Sequence, residues 1–167
     1  MKRKIQKKKM GSKLFSGFLA ALMVVTVMAA SGINSQAGNT ADTWWDFNIS
    51  TSNSSYSKST IREKKDDSAF YIHWQSTNGP TSIYVQTYGS NTNSVNTMTA
   101  YNYIGPGLLS GTGRYSVSSY VYENLHGTEL SPKTVFACFG VKSSVGSGYI
   151  GGYWSPDSSG SYSSPIR

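Results

Sequence analysis

Residues 68–75 read SAFYIHWQ, and this stretch decides the fold. Large apolar side chains occupy every second position, at Phe70, Ile72 and Trp74. A period of two places these three side chains on one face of a β-strand and the residues between them on the other. The stretch therefore predicts a strand with one buried face.

The same alternation recurs on both sides of this stretch. Residues 43–50 read TWWDFNIS, with Trp45, Phe47 and Ile49 on the apolar face. Turn-forming Gly, Asn, Ser and Pro residues separate the apolar runs, as in Asn78-Gly79-Pro80. Further strands are predicted at 82–88, 95–104, 114–123, 134–141 and 148–154.

Short strands at such spacing are typical of an all-β sandwich or barrel. We predict an all-β fold, a single antiparallel β-sandwich of about six to seven strands, over residues 44–154. A polar leader, 38–43, precedes it, and a Ser-, Pro- and Gly-rich flexible tail, 155–167, follows it. The runs 68–75 and 82–88 are expected to pair as an antiparallel hairpin.

The start of the chain has the three parts of a secretory signal peptide, and we predict that its apolar part is helical. Seven basic residues and no acidic ones precede an uncharged apolar run at residues 14–30, and small residues follow. Ser35 and Ala37 suit a signal peptidase cut before Gly38, and Val27 and Ala29 offer an alternative cut before Ala30. The other interpretation is an uncleaved anchor, although the run is shorter than the roughly 20 residues that span a membrane. We therefore predict a signal peptide over 1–37.

Removal of this segment changes the charge balance. The whole chain has 15 basic and eight acidic residues, and seven of the basic ones precede position 38. The remainder is formally neutral, with eight of each sign. Nucleic-acid binding needs a basic patch on the folded domain, so no nucleic-acid partner is predicted. No second apolar run has spanning length, and a stable membrane span is therefore not expected in the processed chain.

Residues that could carry chemistry are few and scattered. Cys138 is the single cysteine and lies in the apolar run 135–141, which indicates a buried thiol. His73 and His126 lack the spacing of a metal site, and neither a GxSxG elbow nor a phosphate-binding loop is present. A glycosidase-like pair would come from Asp46, Glu63, Asp66, Asp67, Glu123, Glu129 and Asp157. We predict no catalytic residue, no bound metal and no cofactor.

Aromatic residues are the unusual feature of the composition. The chain has four tryptophans and twelve tyrosines, and all sixteen follow position 38. Tyr84, Tyr88, Tyr120 and Tyr122 are predicted on strand faces opposite the core, where tyrosine suits contact with a ligand. Alternatively, these tyrosines only stabilise a solvated sheet face through cross-strand pairs.

Two segments carry a resemblance to a known family. They are the early Tyr56…Lys58-Ser59-Thr60…Arg62 region and, more specifically, the closing Gly151-Gly152-Tyr153-Trp154-Ser155-Pro156-Asp157-Ser158. Together with the signal peptide they resemble a family of small secreted proteins of Gram-positive bacteria that is catalogued as a domain of unknown function. The resemblance implies export and a small β-rich fold, and it supplies no catalytic residues. The layout is also similar to that of secreted bacteriocins.

These observations favour a secreted, non-enzymatic β-sandwich protein that binds a protein or glycan at or beyond the cell surface. The partners expected are the secretion machinery, signal peptidase and a cell-envelope component. A secreted antimicrobial or toxin-like protein and an extracellular cell-wall hydrolase are the alternatives.

Overall fold

A computed structural model describes residues 38–102 and 105–165. The predicted signal peptide, 1–37, lies outside these residues, and so does its apolar run. Among the described residues, no helix has the length and apolar character needed to cross a membrane.

The described residues form short strands, one α-helix and one 3-10 turn. The strands are β1 (Thr43–Ile49), β2 (Ser57–Lys58), β3 (Arg62–Lys64), β4 (Phe70–Asn78), β5 (Ser82–Ser90), β6 (Thr99–Ala100), β7 (Gly107–Ser110), β8 (Gly113–Val117), β9 (Gly127–Thr128), β10 (Ser131–Pro132), β11 (Val135–Val145) and β12 (Gly148–Ser155). The α-helix, α1, is Val121–Leu125, and the 3-10 turn is Val95–Thr97.

Two antiparallel sheets carry the fold. Sheet 1 has the strand order β1-β12-β4-β8. In sheet 2, β11 pairs with β5 on one side and with β2 and β3 on the other, while β5 also pairs with β6 and β7. The predicted all-β sandwich is confirmed. Seven of the described strands are longer than three residues, which agrees with the predicted number.

The core lies between the sheets, and the alternating side chains fill it as the sequence predicts. Phe70, Ile72 and Trp74 of β4 are fully buried. Phe139 of β11 meets two tryptophans of the opposite sheet, with ring centroids 5.3 Å from Trp45 and 5.2 Å from Trp154. The planes meet at 83° for Trp45 and at 65° for Trp154, and such edge-to-face contacts suit the charge distribution of aromatic rings. These contacts join the two sheets.

The predicted hairpin of residues 68–75 and 82–88 is wrong, because β4 and β5 belong to different sheets. The turn at Gly79 carries the chain from sheet 1 to sheet 2, and the turn at Gly146 and Ser147 carries it back. Both glycines have positive φ, 115° and 87°, and the two turns contact each other. Residues that carry a side chain rarely adopt such φ angles, so the two glycines allow the chain to cross between the sheets twice at one end of the sandwich.

The predicted strand at 114–123 is correct only in its first half. β8 ends at Val117, and the chain then turns into α1, where Val121 and Leu125 lie against Gly89 of β5. Apolar residues four apart face the same side of a strand or of a helix, so alternation does not separate the two structures here. The fully buried Val121 shows that packing favours the helix. In residues 95–102, the described part of the weaker strand predicted at 95–104, the structure has the 3-10 turn, β6 and a single bridge from Asn102 to Ser119, and residues 103 and 104 lie outside the described residues.

The end of the sandwich extends beyond the predicted boundary at residue 154. β12 includes Ser155, and Asp157 is fully buried. Beyond it, Ser163 forms a parallel bridge with Tyr115, so this part of the predicted tail lies beside β8 at the edge of sheet 1, and residues 166 and 167 lie outside the described residues. The thiol of Cys138 is buried as predicted, and burial raises its pKa to about 11.

Candidate functional site

The four predicted tyrosines do not form one surface. Tyr84 and Tyr88 share the outer face of sheet 2, where Tyr84 is exposed and Tyr88 is buried beneath Lys58, whose ammonium lies 4.5 Å from the ring. Burial, with smaller contributions from Tyr56 and Cys138, raises the pKa of Tyr88 to about 12. Tyr120 precedes α1 and is exposed, whereas Tyr122 lies on α1.

Tyr122 is half-buried and stacks on His126, with ring centroids 4.4 Å apart. Both rings line a small polar pocket of about 220 Å³ near Lys64 and Lys133. This pocket lies apart from Tyr84 and Tyr88, so the predicted set is divided between two places.

A different aromatic surface crosses the outer face of sheet 1. The strand register places Trp44 of β1 opposite Tyr153 of β12, Tyr153 opposite His73 of β4, and His73 opposite Arg114 of β8. Side chains at paired positions point to the same face of a sheet. We call these four residues the aromatic row.

Two members of the aromatic row form an exposed pair. Trp44 and Tyr153 contact edge to face, with centroids 5.1 Å apart and planes at 78°. Trp44 is 44% exposed and Tyr153 is 39% exposed, which is high for such large side chains. Gly151 keeps this arrangement open, since a methyl group there would lie 3.1 Å from Cζ2 of Trp44 and 2.9 Å from the hydroxyl of Tyr149. The row therefore offers aromatic area that no neighbouring strand covers.

A polar pocket of about 270 Å³ adjoins the other end of the aromatic row. It shares Arg114 with the row, and Tyr71 and Tyr162 form its aromatic wall, with centroids 4.9 Å apart. Asp42 supplies a carboxylate. The remaining lining residues are Thr40, Ser155, Ser158 and Ser159. The pocket thus combines ring faces with hydroxyls and one charge of each sign.

Burial and nearby charges shift the pKa of one residue of the aromatic row, His73, and of one residue of the pocket, Tyr71. Burial lowers the pKa of His73, Arg114 lowers it further, and Asp42 opposes both. Burial raises the pKa of Tyr71, and Asp42 adds to this rise. Both shifts favour the neutral forms, so near neutral pH His73 and Tyr71 act as uncharged hydrogen-bonding groups. Arg114 and Asp42 then provide the charge at this end of the site.

The alternation in residues 43–50 places Trp44 opposite the apolar face of Trp45, Phe47 and Ile49, and it does not indicate that Trp44 binds a ligand. A tryptophan at a polar position of an alternating strand is the signal that could have identified the row. Asp42 was not among the candidate carboxylates. Tyr162 lies in the segment predicted as a tail, and its backbone N–H donates a hydrogen bond to the hydroxyl of Ser116, a long-range contact that a local pattern does not encode.

Of the candidate carboxylates, Asp157 has the most unusual surroundings. It is fully buried and pairs with Lys64, itself only 2% exposed, at 2.9 Å. In the described part of the chain, no three His, Cys, Asp or Glu side chains are close enough together to hold a metal ion.

The molecule is therefore an antiparallel β-sandwich with an aromatic outer face on one sheet. A family model described as "Protein of unknown function (DUF2712)" matches residues 33–158. The chain belongs to this family, and the resemblance to a domain of unknown function is confirmed. The comparisons with curated proteins and with solved structures found no match.

Proposed function

We propose that this protein is exported and binds a glycan at or beyond the cell surface, without catalysis, through the aromatic row and the adjoining pocket. The observation that carries the proposal is the exposed Trp44–Tyr153 pair, which shares one sheet face with a pocket of mixed polarity. The basic and then apolar sequence before residue 38 supports export.

The chemistry of the site suits a sugar better than an apolar small molecule. A sugar ring has C–H faces that pack on aromatic rings and hydroxyls that need hydrogen-bond partners. The row supplies exposed ring area, and the pocket supplies serine and threonine hydroxyls, Asp42 and Arg114. A site for an apolar ligand is typically lined by hydrophobic side chains with few polar groups, and this pocket is mainly polar.

The test uses residues 38–167, because the residues described from 38 onward form their own core. Retention on insoluble cell-wall polysaccharide and on cellulose, chitin and xylan is measured by co-sedimentation. Affinity for soluble fragments of whichever polymer retains the protein is then measured by calorimetry. We expect Trp44→Ala and Tyr153→Ala each to weaken binding about tenfold or more, the loss of roughly one aromatic stacking contact.

Tyr84→Ala is the matched control, because Tyr84 has a similar exposed fraction, 37%, and lies on the opposite sheet. It should leave affinity unchanged. The proposal fails if no polysaccharide retains the wild-type protein, or if Tyr84→Ala weakens binding as much as Trp44→Ala. If the protein captures an envelope protein, and still captures it after the glycans of that partner have been removed, the partner is a protein and the proposal is contradicted.

A further inference from the structure

The first described residues are fixed to the sandwich by hydrogen bonds. The backbone N–H of Asn39 donates to Oδ2 of Asp157 at 2.5 Å, and its side-chain amide donates to the carbonyl of Glu63 at 2.8 Å. Arg62 donates to Oδ1 of Asn39 at 2.5 Å. Asn39 is thus held through its main chain and both of its side-chain polar atoms. The second residue of the segment predicted as a polar leader is therefore docked on the sandwich.

The docking point is the buried ion pair. The Lys64 ammonium donates to Oδ1 of Asp157 and to the carbonyls of Ser68 and Pro156, at 2.9, 2.6 and 2.7 Å. Oδ2 of Asp157 accepts the backbone N–H groups of Asn39 and Lys65. One lysine therefore balances the charge of Asp157.

A second carboxylate faces Gly38. Oδ1 of Asp66 accepts the N–H of Ser68 at 2.9 Å, while Oδ2 points toward Gly38. A methyl group built on Gly38 would overlap this oxygen and would lie 2.9 Å from Cβ of Asp157. Because backbone bonds are about 1.5 Å long, the nitrogen of Gly38 lies within about 5 Å of the Asp66 carboxylate.

This distance matters because Gly38 is the first residue after the predicted peptidase cut. A positive charge within about 4 to 6 Å of a carboxylate stabilises both charged forms. Lys64 already balances Asp157, so a positive charge at Gly38 would balance Asp66. An amide nitrogen at the same position carries no charge. A glycine also fits this position where a larger residue would not.

We propose that cleavage of the Ala37–Gly38 bond creates an α-ammonium group that docks on Asp66 beside the Lys64–Asp157 pair, so that processing itself stabilises the folded protein. Hydrolysis adds water across the peptide bond and leaves a carboxylate on Ala37. The amine on Gly38 takes up a proton at neutral pH. The inference rests on the export part of the proposed function and is independent of glycan binding.

The experiment compares three forms of residues 38–167: one with a free amine at Gly38, one acetylated at that amine, and one extended by an Ala37 that is itself acetylated. We expect the free-amine form to melt about 4 °C above the other two at pH 7 and low salt, the shift from about 1 kcal/mol in a domain of this size. Asp66→Asn should remove the difference. Asp67→Asn is the matched control, because Asp67 is exposed in the same turn, and it should preserve the difference.

The N-terminal sequence of the protein recovered from culture medium completes the test. The inference requires Gly38 as the first residue, and a first residue of Ala30 overturns it. Equal melting temperatures of the three forms also overturn it, whatever the cleavage site. Neither measurement involves a glycan, so failure here is distinct from failure of the proposed binding function.

Discussion

Replacing Asp157 with asparagine tests whether the buried ion pair holds the end of the sandwich together. The two side chains have nearly the same shape, so the substitution removes a charge and introduces little steric change. Asp157 is fully buried, and Lys64 keeps its ammonium in the same enclosed place. Breaking a buried pair in this way leaves an uncompensated charge and typically costs about 3 to 5 kcal/mol.

Such a loss is a large share of the 5 to 15 kcal/mol that is typical of a whole domain. We expect the melting temperature of residues 38–167 to fall by about 10 to 20 °C. Urea unfolding followed by tryptophan fluorescence measures the free energy directly, because Trp74 and Trp154 are fully buried and become exposed on unfolding.

The pH dependence of this loss gives a second signature. Burial already lowers the pKa of Lys64, while Asp157 opposes that shift. Without Asp157, the pKa of Lys64 in the folded state falls further below its pKa in the unfolded chain. Near the folded-state pKa, the unfolded chain therefore binds more protons than the folded protein, and stability rises with pH. The stability gap between Asp157→Asn and wild type should therefore narrow as the pH rises from 7 toward 10.

Two controls make the result decisive. Asp67→Asn makes the same chemical change at an exposed position and should alter stability by less than about 0.5 kcal/mol. Adding Lys64→Met to Asp157→Asn removes the unpaired charge and should restore most of the loss. The reasoning is refuted if Asp157→Asn costs less than about 1 kcal/mol, or if Lys64→Met does not restore stability in the double variant.

Two further substitutions test the packing and the titration of the core. The raised pKa of Cys138 means that its thiol stays protonated in the folded state between about pH 9 and 11, where the unfolded thiol ionises. The free energy of unfolding should therefore fall by up to about 3 kcal/mol across that range, and urea titrations should show a shallower fall in Cys138→Ala; equal slopes would contradict this. A methyl group on Gly152 would overlap the carbonyl of His73, so Gly152→Ala should cost about 3 kcal/mol in the same assay. Gly160→Ala, whose nearest neighbours are atoms of the exposed Tyr162 ring, should change little, and similar losses in the two variants would rule out this steric explanation.

Local alternation predicts the fold class because burial on one face of a strand has a period of two that short segments already show. Residues 44–49 and 70–74 illustrate this, since the period of two identifies the inward side chains of both strands, which are wholly or partly buried. Pairing is not local. The turn sequence Asn78-Gly79-Pro80 suits a hairpin and a crossing between sheets equally well. Long-range packing decides which strands pair with β4 and β5.

The candidate site was less predictable for the same reason. The aromatic row joins residues from four strands, and their register is set by hydrogen bonds along the whole sheet. Lys64 and Asp157 are 93 positions apart, and they lie in a stretch with charges of both signs, 62–67, and in the predicted Ser-, Pro- and Gly-rich tail. A charge in such a stretch is expected to be solvated, and only the packed structure shows that these two are buried.

The closing segment of the sequence shows how the family resemblance and the proposed function relate. Gly151 leaves room for the Trp44 ring, Gly152 fits against the carbonyl of His73, and Asp157 binds Lys64 inside the protein. Trp154 is fully buried between Phe70 and Phe139. The roles of these residues are in packing. The same packing would be needed whatever the protein binds, so these residues do not indicate a ligand. Tyr153 is different, because it is exposed and pairs with Trp44 on the outer face. Packing inside the sandwich therefore accounts for the glycines, Trp154 and Asp157 of this segment, whereas Tyr153 is the residue on which the proposed glycan binding can be tested.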